Sequence, residues 1–228
     1  MATTTRRAVW PRLGLRSTGL TMTAAEFDAW PAHACARGYR YELIRGVLIV
    51  SPYAGNGEVH PNQDLGYLLQ VHQEMDPQGR FVDLTLPEQT LISGADRRRC
   101  DRAIWVGLGR MPDLERDFPA IVVEFVSRSR RDFRRDYEEK RDEYRRAGAL
   151  EYWIIDRFRR TMTAYRSARG EGHPEVVVTV AAAETYQTDL IPGFTLPLGR
   201  LLSKADLWAS PARTKRKPQP KPPEGDPR

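Results

Sequence analysis

This chain is poor in the residues that would make its class obvious. It has two cysteines in 228 residues, Cys35 and Cys100, far apart and in no metal-ligand spacing. That excludes a disulfide-stapled scaffold and a thiolate metal knot, and a reducing, cytoplasmic setting is the simplest reading. Its apolar runs are of strand length, too short for a membrane span. Met1 to Leu20 carries arginines but no continuous apolar segment before a small-residue cleavage site, so no secretory signal is expected. No internal repeat is present, and no separate recognition domain is appended.

What is there suits one globular domain with tails: 40% hydrophobic and 29% charged residues, enough to bury a core. The formal net charge is +6, which favours phosphate-bearing partners. Arginines cluster at Arg97, Arg98, Arg99 and Arg102, around Asp101. A second cluster, Arg128, Arg130, Arg131, Arg134 and Arg135, follows Glu124. Guanidinium groups so placed suit bidentate phosphate contact, or else form a solvated basic face. Residues 1–20 read as a disordered tail, residues 21–210 as the domain, and residues 211–228, rich in Pro and Lys, as a disordered basic tail.

Within the domain, Thr23 to Trp30 reads as a short capped helix. Tyr39 to Pro52 reads as a hairpin turning at Arg45-Gly46. Gly55 to Gly57 reads as loop, and Pro61 to Met75 as a helix with the proline in its first turn. Strands are expected over Phe81 to Leu86, Asp101 to Val106, Ala120 to Val126 and Leu150 to Asp156. Antiparallel additions are expected over Thr161 to Tyr165 and Glu175 to Val180. A helix is expected from Ser129 to Gly148, between strands close enough for a parallel crossover. Leu190 to Leu202 reads as a closing segment. This order describes an α/β fold: a mixed sheet flanked by helices, with an N-terminal hairpin.

Glu124 interrupts the apolar run Ala120-Ile121-Val122-Val123-Glu124-Phe125-Val126. A carboxylate in a strand buried on both faces is costly unless a cation, a metal or strong hydrogen bonds hold it. It is therefore a candidate for chemistry, or else the partner of a buried arginine, or a strand-end group facing water. In the following helix Phe133, Tyr137, Tyr144 and Ala147 share a face at offsets 0, 4, 11 and 14, and Lys140 falls on that face at offset 7. Its alternatives are a snorkelling stem or an i,i+4 pair with Asp136. Asp101 and Glu124 on neighbouring strands, about 4.8 Å apart, could share one hard cation such as Mg²⁺ or Mn²⁺. Lys140 would stabilise developing charge beside it, a set suited to phosphodiester hydrolysis.

With these residues in hand, the chain resembles the restriction-endonuclease family called Uma-two, within the PD-(D/E)XK nuclease superfamily. The likeness runs from about Tyr39 to Tyr165. It rests on Tyr41-Glu42-Leu43-Ile44-Arg45-Gly46, His60, Asp101 and Glu124-Phe125-Val126-Ser127. It continues through Asp136, Lys140, Tyr144, Gly148 and Glu151-Tyr152-Trp153-Ile154-Ile155-Asp156. The resemblance implies a restriction-endonuclease-like core, Asp101 and Glu124 as metal ligands, Lys140 as the catalytic lysine and Glu42 as an acidic residue near the metal. Two positions depart from the pattern. Cys100 stands where a proline usually precedes the aspartate, and Val126 stands two residues after Glu124 where the superfamily lysine would be, so the lysine is expected from the helix. Ser127 and Tyr144 read as packing or capping residues, Glu151-Tyr152-Trp153 as core support, and His60 as a structural helix-start residue.

The expected function is a metal-dependent endonuclease acting on DNA in a defence or mobile-element role. The alternatives are a nucleic-acid-binding protein that keeps the fold without cleaving, and a protein-interaction role in which the basic charge is incidental. Two-strand cleavage would take two active sites or sequential nicks, and a homodimer is one way to supply the first.

Overall fold

The Arg45-Gly46 pair turns the hairpin as expected. Both residues have positive φ, 51° and 74°, the geometry of the tight turn that matches strand twist. Arg45 holds this left-handed conformation while its N–H donates to Asp96 Oδ1 at 2.6 Å. The structure, a computed structural model, describes residues 10–127, 139–167 and 175–208. The expected tail at 211–228, and the first half of the crossover helix from Ser129 through Phe133, Asp136 and Tyr137, lie outside these residues.

The hairpin strands β1 (Tyr39–Ile44) and β2 (Val47–Pro52) belong to a four-stranded antiparallel sheet ordered β2-β1-β5-β4. Its other members, β4 (Thr90–Ser93) and β5 (Asp96–Arg99), were not expected from the sequence. The run Asp96-Arg97-Arg98-Arg99 offers no apolar alternation, and its strand is completed by ion pairs instead. Helix α1 (Ala24–Ala29) beside this sheet starts in a reciprocal capping box. Thr23 Oγ1 accepts from Glu26 N at 3.2 Å, and Glu26 Oε2 accepts from Thr23 N at 2.7 Å.

Part of the segment expected to be a disordered N-terminal tail is packed. Leu13 is 3% exposed and forms a small core with Leu48 and Val50. Its backbone exchanges 2.8 Å hydrogen bonds with the 34–36 segment. An apolar residue able to fill that gap outweighs the arginine-rich look of its surroundings.

The main sheet has six strands in the order β10-β9-β8-β7-β6-β3. They are β3 (Val82–Pro87), β6 (Arg102–Val106), β7 (Ile121–Phe125), β8 (Glu151–Asp156), β9 (Thr161–Arg166) and β10 (Val176–Ala181). β7 and β8 run parallel, as the crossover required, and the other pairs are antiparallel. A short two-stranded pair, β11 (Thr185–Tyr186) with β12 (Leu196–Pro197), completes the strands.

Side chains alternate across the six-stranded sheet. Ile104, Ile121, Val123, Phe125, Trp153 and Ile155 face one core. Helices α2 (Asn56–Met75) and α4 (Leu198–Asp206) cover it with Leu65, Leu69, Leu198, Leu201 and Leu202. Each such buried side chain contributes about 1.5–3 kcal/mol. The closing segment thus ends in an amphipathic helix. Ala103, Trp105, Val122 and Ile154 face the other core, together with Leu91 of the small sheet and Tyr144 of helix α3 (Lys140–Ala147). α3 ends at Gly148, whose φ of 111° closes it.

α2 begins at Asn56, upstream of Pro61. A proline inside a helix forfeits the bond to the carbonyl four residues back. Here that loss is confined to the first turns, and the extra turn carries Glu58 toward the small sheet. Glu151 supports the core as expected: its Oε2 accepts from Trp153 Nε1 and from the Tyr186 hydroxyl, each at 2.7 Å.

Candidate active site

The β6–β7 register pairs Arg102 with Val123 and Ala103 with Val122. One further step brings Asp101 opposite Glu124. By alternation both carboxylates then share the face of Val122 and Ile154 rather than the face of Ile121 and Val123. The Asp101 side chain turns onto the neighbouring strand, where its Oδ2 accepts the Phe125 N–H at 2.7 Å. Glu124 is 3% exposed and Asp101 4%.

α3 packs over this face and presents Lys140 and Tyr144 one turn apart. Lys140 does not snorkel. It is 2% exposed, and its Nζ lies 2.8 Å from Glu124 Oε1. The Tyr144 hydroxyl donates to the same oxygen at 3.1 Å. Burial, together with the Glu124 charge, pushes the Tyr144 phenol well above its ordinary range and keeps it a donor. Tyr144 therefore does more than pack: it orients the glutamate. Its spacing of four residues from Lys140 was the signal available in the sequence.

These groups open onto a cleft of about 230 Å³ between the small sheet and the end of β7. Arg40, Glu58, Asp101, Glu124, Ser127 and Lys140 line it, with residues 51–55 as the opposite wall. Arg40 and Glu58 were not expected there. Arg40 precedes Glu42 by two residues on β1, so alternation places both on one side of that strand. Its Nη1 lies 3.1 Å from Asp101 Oδ1 and its Nη2 2.5 Å from Glu88 Oε1. Burial disfavours the Arg40 charge, but Asp101, Glu88 and Glu124 more than offset this and hold the guanidinium above its ordinary value.

The structure brings Asp101, Glu124 and Lys140 together on one cleft. Glu42 is 2% exposed and is not part of the cleft lining; its Oε1 accepts the Arg99 N–H at 3.0 Å. His60 also lies outside the lining, and its Nδ1 accepts from Trp208 Nε1 at 3.1 Å. Cys100 takes the place of the usual proline while donating its N–H to Gln89 O at 3.0 Å, a bond proline could not make.

The arginines around Asp101 are internal ties. Arg97 forks onto Asp28 at 2.9 and 2.6 Å, Arg98 Nε lies 2.6 Å from Glu143, and Arg99 Nε lies 3.2 Å from Glu88. Arg102 is 4% exposed and bonds neutral acceptors: Asn62 Oδ1 at 2.7 Å, Asn62 O at 2.8 Å and Thr85 Oγ1 at 2.9 Å. Burial pulls its guanidinium down to about 10. Asn62 in turn donates to the Asp101 carbonyl at 2.7 Å. Gly66 allows the approach, since a Cβ there would lie 2.5 Å from Arg102 Nη2. The basic cluster following Glu124, from Arg128 to Arg135, lies outside the described residues.

Among the described residues, no group of three or more His, Cys, Asp or Glu side chains is arranged to hold a metal. The donor set is instead two carboxylates on a polar cleft. That fits Mg²⁺ or Mn²⁺, which are commonly held by one or two carboxylates while keeping water and accepting phosphate oxygens. It does not fit a closed protein cage. The contrast with Glu151 is informative. That glutamate is equally buried but is enclosed by Trp153 and Tyr186 rather than set on a cleft wall.

The fold is that of a restriction-endonuclease-like α/β protein. The profile of Uma2, described as "putative restriction endonuclease", matches residues 24–199, and the chain belongs to that family. Among solved structures, the fold is similar to that of a "putative nuclease" of the DUF820 group from Anabaena variabilis. The TM-score is 0.59 at 16% identity, over 81% of this chain and 99% of that one. Comparison with curated proteins returns no match.

Proposed function

We propose that the chain is a metal-dependent endonuclease that hydrolyses phosphodiester bonds in DNA. The observation that carries this reading is the buried Lys140 ammonium 2.8 Å from Glu124 on the cleft that Asp101 also lines. A buried lysine on a cleft beside two carboxylates is an arrangement for chemistry on an anion. In this reading Asp101 and Glu124 hold a Mg²⁺ or Mn²⁺ ion, which when bound polarises the phosphoryl oxygen and lowers the pKa of a water. Lys140 stabilises the negative charge that develops on the phosphoryl oxygens. Tyr144 fixes the Glu124 carboxylate so that it need not reorganise during reaction. Phe125 N–H does the same for Asp101. Glu42 holds β1 against β5, behind the cleft wall.

A second reading, a DNA-binding protein that does not cleave, has one observation in its favour. Asp101 and Glu124 already carry cationic partners, Arg40 and Lys140, so neither needs a metal in order to be paired. No helix among the described residues is long and apolar enough to cross a membrane.

Plasmid nicking by the purified protein in Mg²⁺ or Mn²⁺, with a chelator control and Glu124→Gln, separates the two. The endonuclease nicks only with metal and loses activity in the variant. Chelator-resistant cleavage, or full activity in Glu124→Gln, rejects the mechanism.

A further inference from the structure

Arg40 is the cation on the cleft that the reading above leaves without a role, and its surroundings are unusual. The side chain is 14% exposed and each of its terminal nitrogens holds a carboxylate. Nη2 is fixed on Glu88 at 2.5 Å, Nη1 makes a longer 3.1 Å contact with Asp101, and the buried Nε has no hydrogen-bond acceptor among the described residues. An unsatisfied buried donor carries a standing cost that a suitable acceptor would remove. Nε–H lies on the Nη2 flank, as in the Arg97 fork onto Asp28, so Nη1 is the group that a phosphate oxygen could take over from Asp101, with Nε as an open donor beside Glu88.

Glu88, which holds the other edge, is itself a conformational exception. It has a φ of 53° without being glycine. Its N–H donates to the Asp101 carbonyl at 2.9 Å, and its carboxylate meets both Arg40 and Arg99. A residue kept in a costly backbone conformation while tying two cleft residues together points to a functional demand.

Charge balance gives the direction of change. As it stands, Arg40 and Lys140 face Asp101 and Glu124, with Glu88 on Arg40 and Glu58 on the cleft adding further negative charge. A divalent cation taken up by the carboxylates would oppose the Arg40 charge and compete for the Asp101 oxygen at Nη1. A phosphodiester arriving with the cation supplies a replacement acceptor.

Resting on the endonuclease reading, we infer that Arg40 contacts a non-bridging oxygen of the scissile phosphate, with Glu88 as its positioning residue. Arg40 leaves Asp101 when the cation is bound and pivots about its Glu88 contact, so one guanidinium serves first as counter-ion and then as substrate clamp.

The test uses the full chain and a short labelled DNA duplex, with Ca²⁺ in place of Mg²⁺ so that binding is read apart from cleavage. Affinity is measured by anisotropy over a range of salt for wild type, Arg40→Ala, Arg40→Lys and Glu88→Ala. Loss of one phosphate contact should reduce the slope of log affinity against log salt by about 0.9 in Arg40→Ala. Arg40→Lys should restore the slope while recovering single-turnover nicking only in part, because charge returns without the guanidinium. Glu88→Ala should lower the slope as Arg40→Ala does, and the double variant should go no further, a non-additivity that a merely structural Glu88 would not give.

A wild-type slope and nicking rate in Arg40→Ala overturns the assignment and leaves the endonuclease reading standing. A reduced slope in a protein that binds but never nicks removes the endonuclease and with it the scissile-phosphate assignment, leaving Arg40 as a plain phosphate contact. Absence of salt-dependent binding in the wild type removes both. If Arg40→Ala fails to fold, judged by its melting curve, Arg40→Lys with reduced nicking at wild-type slope still supports the guanidinium contact, and unchanged nicking overturns it.

Discussion

Lys140 Nζ and Glu124 Oε1 sit 2.8 Å apart, with both side chains almost wholly buried. Such a pair is fragile in a particular way. Removing one member leaves the other charge buried without its counter-ion, whereas removing both leaves only shape to repair.

Lys140→Met is therefore expected to destabilise the fold by about 3–5 kcal/mol. The double variant Glu124→Gln with Lys140→Met should recover most of that loss while remaining inactive. Urea unfolding of the three proteins checks it. Equal stability of single and double variants would mean that the pair is not coupled.

Asp101→Asn keeps an oxygen for the Phe125 N–H but loses the charge. The wild type should melt higher as Mg²⁺ or Mn²⁺ is added, by about 2.7 kcal/mol of stabilisation at a hundredfold excess over Kd. The variant should show little response. A matching shift in both would place the cation elsewhere.

Tyr144 gives a prediction in pH. In the unfolded chain its phenol ionises near 10.0, and in the fold well above that. Below that unfolded value both states keep the proton and the contribution is fully present. Above it the unfolded state releases the proton first, so the folded state binds more protons and stability falls as pH rises. Tyr144→Phe should flatten this alkaline decline, and near neutrality should cost about 1 kcal/mol for the lost hydrogen bond. Denaturant midpoints from pH 8 to 11 measure both. An unchanged alkaline slope in the variant would contradict the buried phenol–carboxylate contact.

Arg102 ties α2 to β6 next to Asp101. Arg102→Met strands the acceptors on Asn62 and Thr85 and should cost about 3 kcal/mol. Asn62→Ala removes the donor to the Asp101 carbonyl. On the endonuclease proposal it should reduce nicking more than it reduces DNA affinity, because it shifts Asp101, the proposed metal ligand, and no phosphate contact. Equal loss of both would make Asn62 part of the binding surface.

Much of this arrangement was legible in the chain because it is periodic. The alternation in Ile121-Val122-Val123-Glu124-Phe125 put the glutamate on a defined face, and the helical offset of Lys140 from Tyr144 put the lysine inward. The hairpin turn at Arg45-Gly46 and the parallel pairing of β7 with β8 followed from turn chemistry and a short crossover. What could not be read was long-range. Nothing local says that Asp28 will meet Arg97, or that Glu143 will meet Arg98, so three arginines in a row looked like a phosphate-binding surface instead of a strand. The same blindness hid Arg40, whose partners Asp101 and Glu88 arrive from distant segments. Pro61 misled differently: the usual preference for the first helical turn concealed the extra turn that brings Glu58 to the cleft.

The small sheet keeps its own oily centre at Leu13, Leu48 and Val50. It meets the rest of the molecule through Leu91, buried with Ala103, Trp105 and Tyr144, and through arginine–carboxylate ties, among them Arg40–Glu88 and Arg98–Glu143. Parting the sheet from its neighbours would wet Leu91 as well as break ion pairs, and the cleft lies along this seam. A polyanion in the cleft would compete for Arg40 but not for Leu91, so it would loosen only the polar half of the seam.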